Sequence, residues 1–235
     1  LRVGPWDMDL DCGPLINKQQ KTRVDGFLAG AARDGVPTLG AGSIAPNTPP
    51  GGYYVAPSFL GPVAPESTLG QDEVVLLDLW AGRRLGTVFA DQTWMGFSGS
   101  KVPEEVDRVW RTVRDARDAA IAAIQQGVRE GRKVAGFEGD RAAGGVIEQA
   151  GFGQYFVHRT GHSIDRDLHG SGPHLDDYET HDDRELIPGV GFSVEPGIYI
   201  SGRIGVRSEI NMYWGADGPE VTPAQPQRNL ITTGG

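Results

Sequence analysis

The stretch FSVEPGIYISGRIGVRSE, residues 192–209, places two acids in sequence that is otherwise typical of buried β-strands. Glu195 follows the apolar start of one strand, Glu209 ends the next, and Gly202 lies midway between them. A central glycine favours an odd-length hairpin turn, because such a turn needs a residue with positive φ. Glu195 and Glu209 are therefore predicted to lie opposite each other and to project to the same face of the hairpin.

An earlier stretch of the chain repeats this pattern. EVVLLDLW, residues 73–80, is a nearly continuous apolar run, which is typical of a strand buried on both faces. A turn is predicted at residues 83–85, and residues 87–94 return as a second strand. The two acids of this hairpin, Asp78 and Asp91, are 13 residues apart, against 14 for the later pair. The predicted turn sets Asp78 opposite Asp91, so that each hairpin presents two acids on one face.

Four acids in apolar strand sequence require a positive partner. A lone buried carboxylate costs several kcal/mol unless a positive charge compensates it. Nearby basic residues are too few to pair all four acids, whereas two divalent cations supply four charges at one place. The alternative is that each acid merely ends its strand, or pairs with an arginine such as Arg207. Because four acids occur in two matched hairpins, the metal interpretation is favoured.

Histidines are concentrated in one segment. YFVHRTGHSIDRDLHGSGPH, residues 155–174, holds four of the five histidines, and His158, His162 and His169 are separated by four and seven residues. A neutral imidazole is a natural metal ligand beside carboxylates, and the other histidines could exchange protons near a substrate. Gly161 allows the backbone to approach a crowded centre just before His162. The segment is predicted to contribute one ligand and further substrate-side groups.

The order of these residues resembles that of the pita-bread metallopeptidases, the family of methionine aminopeptidase, prolidase and aminopeptidase P. The resemblance covers residues 70–223 and rests on the two aspartates and on the segments HRTGH, VEPGIY and VRSE. It implies two divalent ions, chosen from Mn, Co, Fe and Zn with Mn favoured. The five ligands that it implies are Asp78, Asp91, His162, Glu195 and Glu209, with Asp91 and Glu209 bridging both ions.

The resemblance also implies roles for the residues around the ions. The catalytic residues would be Glu195, which shuttles the proton, and His169, which stabilises the tetrahedral intermediate. The substrate-binding residues would be His158, His169, Tyr199 and Arg207. The histidine four residues before the liganding one is similar to that of the Xaa-Pro enzymes. A Xaa-Pro aminopeptidase or dipeptidase is therefore expected, and the alternatives are a methionine aminopeptidase-like enzyme or a peptide-binding pita-bread module with little activity.

The implied fold is of the α/β (α+β) class: a curved, mostly antiparallel sheet with helices on its outer face and an internal pseudo-two-fold symmetry. A single catalytic domain is expected over residues 1–235, matched well over 71–223 and poorly over the atypical segment 1–70. The relatives usually carry a substrate-side histidine ahead of the first aspartate, but APSFLGPVAPES, residues 56–67, contains none. Pro and Gly fill fourteen of the thirty-six positions of 35–70, which predicts an irregular packed segment.

The other elements follow from periodicity and from helix and turn signals. Helices are predicted at residues 13–34, 103–127 and 141–149, and further strands at 154–157, 192–200, 206–214 and 220–222. The tail beyond Pro223 is predicted to be loosely ordered.

Composition argues against several other classes of function. The net charge of −9 disfavours binding to nucleic acid or to an anionic membrane, because both need a basic face. The single cysteine, Cys12, excludes an internal disulfide and a thiolate metal site. No apolar run approaches the roughly 20 residues needed to cross a bilayer, and the N-terminal residues do not resemble a signal peptide. A cytoplasmic enzyme acting on small peptides is expected, with no nucleic-acid or membrane partner and with a homodimer left open.

Overall fold

The computed structural model describes residues 1–5, 8, 10–62, 72–82 and 86–233, and it divides into two compact units, Leu1–Gly70 and Gln71–Gly235. The first unit contains helix α1 (Lys18–Arg33) and four short strands: β1 (Arg2–Val3), β2 (Thr38–Ala41), β3 (Ser43–Ile44) and β4 (Ser58–Leu60). Strand β1 pairs in parallel with β3, and β2 pairs antiparallel with β4. The predicted first helix is confirmed, and residues 35–62 of the Pro/Gly-rich segment contain only short strands between irregular stretches, whereas its residues 63–70 lie outside the described residues. That one domain spans residues 1–235 stays a prediction.

The second unit contains two helices and the remaining described strands. Their bounds are β5 (Val74–Ala81), β6 (Ala90–Phe97), α2 (Glu104–Arg129), α3 (Gly136–Gln149), β7 (Ser163–Ile164), β8 (Gly191–Val194), β9 (Gly197–Ile200), β10 (Ile204–Arg207), β11 (Ile210–Gly215), β12 (Gly218–Thr222) and β13 (Ile231–Thr232). Strands β12, β11, β8 and β7 form an antiparallel sheet in that order. Strand β6 lies between its antiparallel partner β5 and its parallel partner β13, and β9 pairs with β10. This mixed, mostly antiparallel architecture agrees with the expected fold class.

The core of the second unit lies between the helices and the strands that carry the later acids. Helix α2 begins after Pro103, as predicted, with Glu104 and Glu105 in its first turn. It buries one apolar stripe, which consists of Val109, Trp110, Val113, Ala116, Ala120 and Ile124. These residues share one hydrophobic cluster with α3 and with residues of β8 to β11, including Val194, Ile198, Val206 and Met212. Helices α2 and α3 therefore pack against the strands that precede and follow Glu195 and Glu209.

Three predictions about the second unit are wrong. Strand β5 is not buried on both faces, since Leu77 and Leu79 are more than half exposed. It is the outer strand of its sheet among the described residues. Residues 153–155 form a 3₁₀ turn rather than a strand. The tail is fixed rather than loose: Gln227 is buried and β13 pairs with β6. The predicted turn at residues 83–85 lies outside the described residues. Among the helices of the described part, none is long and apolar enough to cross a membrane.

Candidate metal centre

Three buried side chains from separate parts of the second unit converge on one point. Asp91 lies on β6, His162 immediately before β7, and Glu209 immediately before β11. One potential ligand atom from each side chain lies within 4.8 Å of the corresponding atoms of the other two. The Nε2 atom of His162 is 3.5 Å from Oδ2 of Asp91 and 3.3 Å from Oε1 of Glu195. The structure thus brings four of the five predicted ligands into one cluster.

The later hairpin has the predicted register. Gly202 adopts a φ of 72° at its centre, the left-handed conformation that the sequence predicts there. Paired residues flank the two acids on both sides: Gly197 with Arg207, and Val194 with Ile210. Glu195 and Glu209 therefore lie opposite each other, as predicted, in the short interval between these pairs.

The earlier hairpin is shifted from its predicted register. Asp78 lies opposite Thr93, and Asp91 lies opposite Trp80, so the two aspartates are diagonal neighbours rather than a direct pair. Because strand side chains alternate with a period of two, a shift of two residues keeps both aspartates on the same face. The side chain of Asp78 is 35% exposed and forms an ion pair with Arg207. Asp78 therefore lies outside the buried three-residue group and is linked to it through this arginine.

His162 is held by close backbone packing. A Cβ at Gly161 would lie 2.0 Å from the carbonyl oxygen of Ser193, so only glycine allows the histidine segment to approach β8 this closely. The hydroxyl of Ser193 accepts a hydrogen bond from the backbone N–H of His162. Nδ1 of His162 lies 3.0 Å from the carbonyl oxygen of Ser163 and must donate to it, since a carbonyl can only accept. A neutral ring would therefore keep its Nε2 lone pair toward the carboxylates, as a metal ligand requires. Without an ion, burial opposes the charge of the ring, but the contacts with Asp91 and Glu195 outweigh burial and raise the pKa of His162.

The carboxylates of this cluster lack the partners that buried acids need. Oδ1 of Asp91 and Oε1 of Glu209 are buried, and no described group donates a hydrogen bond to either. Burial, followed by the charges of Glu195 and Asp91, raises the pKa of Glu209 to about 9. Buried polar atoms are normally satisfied, and crowded carboxylates repel one another. The donor set of carboxylate oxygens and one imidazole fits divalent cations of the Mn, Fe, Co and Zn series.

Thr93 and Arg207 connect the two hairpins beneath the cluster. The Thr93 hydroxyl donates to Oε2 of Glu209 at 2.8 Å and accepts from Nε of Arg207 at 3.0 Å. Burial opposes the charge of Arg207, but nearby groups, among them Tyr199 and Glu195, outweigh it and raise its pKa. Thr93 was not predicted as a site residue, although its position two residues after Asp91 places it on the same strand face.

The predicted substrate-side residues lie next to the cluster. The His158 ring donates from Nδ1 to the carbonyl of Arg159 and accepts at Nε2 from the Tyr199 hydroxyl, which is 2.9 Å away. Burial is the main cause that raises the pKa of the Tyr199 phenol. His169 is exposed, and its ring centroid is 4.3 Å from that of His162. His169 thus lies beside a member of the cluster, and His158 is linked to it through Tyr199, whose pKa is influenced by the charges of Glu195 and Glu209.

A buried aspartate stabilises the loop that follows these histidines. Asp182 accepts hydrogen bonds from the backbone N–H of His174 and from both the backbone and the side chain of Arg184. Burial opposes its charge, but these hydrogen bonds outweigh burial and lower the pKa of Asp182 to about 2.

Asp182 is expected to contribute about 2 kcal/mol to stability, because its pKa lies below the value of 3.8 in an unfolded chain. A depressed pKa stabilises the fold above pH 4, and this contribution is lost as the pH falls from 4 toward 2. Asp182→Asn should lower the free energy of unfolding by about 2 kcal/mol at pH 7 and flatten its pH dependence in that interval. Urea unfolding at several pH values measures this. Asp183→Asn, at the exposed neighbouring position, should leave both quantities unchanged, and equal effects of the two variants would contradict the assignment.

The chain matches two family models over different ranges. The model of metallopeptidase family M24 matches residues 48–214, and that of the aldehyde dehydrogenase family matches residues 1–75. The first match covers most of the chain and contains every residue of the candidate centre. The second covers less than half of the chain and includes the unit Leu1–Gly70.

Curated relatives of the chain include dipeptidases. The Xaa-Pro dipeptidase of Lactobacillus helveticus is 32% identical over 161 residues, which cover 67% of this chain and 39% of that protein. The probable dipeptidase PepE of Mycobacterium tuberculosis is 33% identical over 141 residues, which cover 60% of this chain and 34% of that protein. The chain thus spans less than half the length of these relatives.

Solved structures of similar fold come from the same group of enzymes. The prolidase from Thermococcus sibiricus has a TM-score of 0.59 at 29% identity, and the match covers 69% of this chain and 40% of that one. The dipeptidase PepE from Mycobacterium ulcerans has a TM-score of 0.62 at 26% identity, with coverage of 79% and 44%. With its mostly antiparallel strands and its match over residues 48–214, the chain has the pita-bread fold and belongs to metallopeptidase family M24.

Proposed function

We propose that this chain acts as a dinuclear-metal-dependent peptidase that hydrolyses Xaa-Pro bonds, as an aminopeptidase or a dipeptidase. The observation that carries this proposal is the convergence of Asp91, His162 and Glu209, two of which have buried carboxylate oxygens with no described partner. The names of its relatives, Xaa-Pro dipeptidase and prolidase, favour proline-containing substrates. The proposed setting is cytoplasmic, the substrate a small peptide, and a homodimer the simplest assembly.

The residues proposed to hold the two ions are Asp78, Asp91, His162, Glu195 and Glu209, and Mn is the favoured metal. Two divalent ions held there would lower the pKa of a bound water and polarise the scissile carbonyl. To bind an ion, Asp78 must give up its ion pair with Arg207. This is a small change, because Arg207 also lies 3.8 Å from Oε2 of Glu195 and donates to Thr93.

The side chains around the ions would move protons and orient the peptide. Glu195 accepts a hydrogen bond from the Ser193 hydroxyl at 2.9 Å, which fixes its carboxylate toward the cluster. In the proposed reaction Glu195 takes the proton of the attacking water and passes it to the leaving amine. His169 donates to the oxyanion that develops on the carbonyl. His158 and Tyr199 contact the substrate, whose Xaa-Pro bond has no N–H to bind.

The proposal predicts metal-dependent cleavage of Xaa-Pro peptides. Protein freed of metal with a chelator should regain stability when Mn²⁺ is added, because an ion that binds only the folded state raises the melting temperature. The metal-loaded protein should hydrolyse dipeptides and tripeptides with proline second, and it should leave Met-Ala and Met-Gly peptides intact. Mass spectrometry that quantifies the released amino acid and the proline-containing product measures cleavage. Hydrolysis of the Met-Xaa peptides alone would overturn the proline specificity.

A second candidate is a peptide-binding pita-bread module with little activity. Two observations favour it: residues 1–75 match the model of a different family, and Asp78 is engaged by Arg207. This candidate predicts that a Xaa-Pro peptide binds to the metal-loaded protein but is recovered uncleaved. Calorimetry measures whether the peptide binds, and mass spectrometry measures whether it is cleaved. Binding without cleavage would identify a peptide-binding module rather than a peptidase.

A further inference from the structure

Two side-chain amides imitate β-sheet pairing along the edge of β6 that faces away from β5, over residues 91–95, because β13 pairs on this edge only with Gly96 and Phe97. The carboxamide of Asn211 accepts from the backbone N–H of Asp91 at 2.9 Å and donates to its carbonyl at 2.8 Å. Four residues along the strand, the carboxamide of Gln227 accepts from the N–H of Met95 at 2.8 Å and donates to its carbonyl at 2.6 Å. Between them the backbone N–H of Glu209 donates to the carbonyl of Thr93 at 3.2 Å. The two hairpins are thus joined along this edge.

We propose that Asn211 is a positioning residue of the metal centre, which fixes the main chain of Asp91 at the distance from Glu209 that a shared cation requires. This inference rests on the proposed function, because Asp91 and Glu209 are ligands only if the centre binds metal. Asn211 touches neither substrate nor ion. It acts through the backbone of Asp91.

The backbone of Asn211 is well placed for this role. Asn211 lies in β11, two residues after Glu209, and β11 is paired on both sides, with Ser193 of β8 and Thr222 of β12 opposite Asn211. Its backbone is therefore fixed relative to Glu209. The two hydrogen bonds of its carboxamide then hold the backbone of Asp91 at a fixed distance from Glu209 as well. The other described hydrogen bonds between the two hairpins run from Thr93 to Glu209 and from Arg207 to Thr93 and Asp78, and none of them involves Asp91.

Loss of the Asn211 amide should weaken metal binding more than it destabilises the fold. Both backbone groups of Asp91 would lose their partner on this edge, and the strand could then move away from Glu209. Residues that orient metal ligands typically alter metal affinity 10–100-fold when they are replaced.

Gln227 provides a matched control because it makes the same two hydrogen bonds to β6. Its partner Met95 has a buried side chain that belongs to the hydrophobic core and offers no ligand to the cluster. Asn211→Ala and Gln227→Ala therefore remove the same pair of hydrogen bonds to β6, and only the first removes them from a proposed ligand. Gln227→Ala also removes the hydrogen bond that its amide donates to the carbonyl of Asn229.

The test compares Co²⁺ binding to the wild-type chain and to Asn211→Ala, Asn211→Ser and Gln227→Ala. Calorimetry should show Co²⁺ affinity about 10–100-fold weaker for Asn211→Ala, a smaller loss for Asn211→Ser, whose hydroxyl can bond one of the two backbone groups, and affinity within threefold of wild type for Gln227→Ala. The visible absorption of bound Co²⁺, which reports ligand geometry, should change in Asn211→Ala alone. The melting temperatures of the metal-free variants should fall to a similar extent.

Three outcomes would overturn the inference. Unchanged affinity and an unchanged Co²⁺ spectrum in Asn211→Ala would show that Asp91 keeps its place without the amide. Equal weakening in Gln227→Ala would show a general effect of stability. If Asn211→Ala does not fold, Asn211→Ser with wild-type affinity and spectrum gives the same negative result. Failure of the wild-type chain to bind Co²⁺ would instead overturn the proposed function, and this inference with it.

Discussion

Asp91→Ala is expected to abolish metal binding and to reduce Xaa-Pro hydrolysis at least about a thousandfold, since metal-ion catalysis supplies several kcal/mol of transition-state stabilisation. Asp91 is buried, its Oδ1 has no described partner, and its Oδ2 lies 3.5 Å from the free nitrogen of His162. It is therefore central to the cluster, and none of the remaining members, His162, Glu195 and Glu209, can replace its oxygen atoms.

The metal-free form of this variant distinguishes loss of a ligand from loss of the fold. Without a cation, the Asp91 charge is one of the causes that raise the pKa of Glu209. Removing Asp91 relieves this repulsion, so the metal-free variant should melt at or above the wild-type temperature, and Mn²⁺ should no longer raise it. Differential scanning calorimetry with and without Mn²⁺ measures both effects.

Gln92→Ala is the matched control for Asp91→Ala. Gln92 is the next residue of β6, and strand alternation turns its side chain to the opposite face, where it accepts from the indole of Trp94. This variant should retain metal binding and hydrolysis. An Asp91→Ala protein that still binds Mn²⁺ and turns over substrate would refute the metal centre.

The later hairpin could be predicted from sequence because one residue determines it. Gly202 fixes both the turn and the register, and the pairs Gly197–Arg207 and Val194–Ile210 follow from it. The earlier hairpin has a glycine on each side of its predicted turn, Gly82 and Gly86, which leaves the register open, and the register was predicted wrongly by two positions. The error left the chemistry intact, since Asp78 and Asp91 remain on one face, but it hid the role of Thr93, which lies opposite Asp78.

Contacts between residues distant in sequence could not be predicted. Asn211 and Gln227 belong to no recognisable local motif, and their partners on β6 lie 120 and 132 residues away along the chain. The tail was predicted to be loose because it has no periodic pattern, whereas Gln227 and β13 fix it to β6. The prediction for β5 was also wrong. Its nearly continuous apolar sequence indicates burial on both faces, but β5 is the outer strand of its sheet.

That residues 1–70 match the pita-bread pattern poorly stays a prediction, and the M24 model already matches from residue 48. The aldehyde dehydrogenase model matches residues 1–75, and the chain divides into compact units at Gly70. The proposed metal ligands lie in the second unit, so their prediction did not depend on this segment.

Glu195→Gln is expected to lower kcat about 100- to 10,000-fold at saturating Mn²⁺, the range typical for loss of a positioned acid or base. Glutamine keeps the size of the side chain, and its amide oxygen can still accept the hydrogen bond from Ser193 that orients Glu195. It cannot take a proton from water or give one to the leaving amine. KM for a Xaa-Pro dipeptide should therefore change much less than kcat, as expected when an interaction made only in the transition state is removed.

Steady-state kinetics over a range of Mn²⁺ concentrations measures this effect and separates it from weaker metal binding. If Glu195 acted only as a ligand, raising the Mn²⁺ concentration would restore kcat to the wild-type value, and its role as proton carrier would be refuted. Glu220→Gln makes the same chemical change at an exposed position of β12, and it should leave kcat, KM and the Mn²⁺ requirement unchanged. A deficit that persists at saturating Mn²⁺ in Glu195→Gln alone would assign proton transfer to this carboxylate, because the fold, the ligand size and the Ser193 hydrogen bond are all retained.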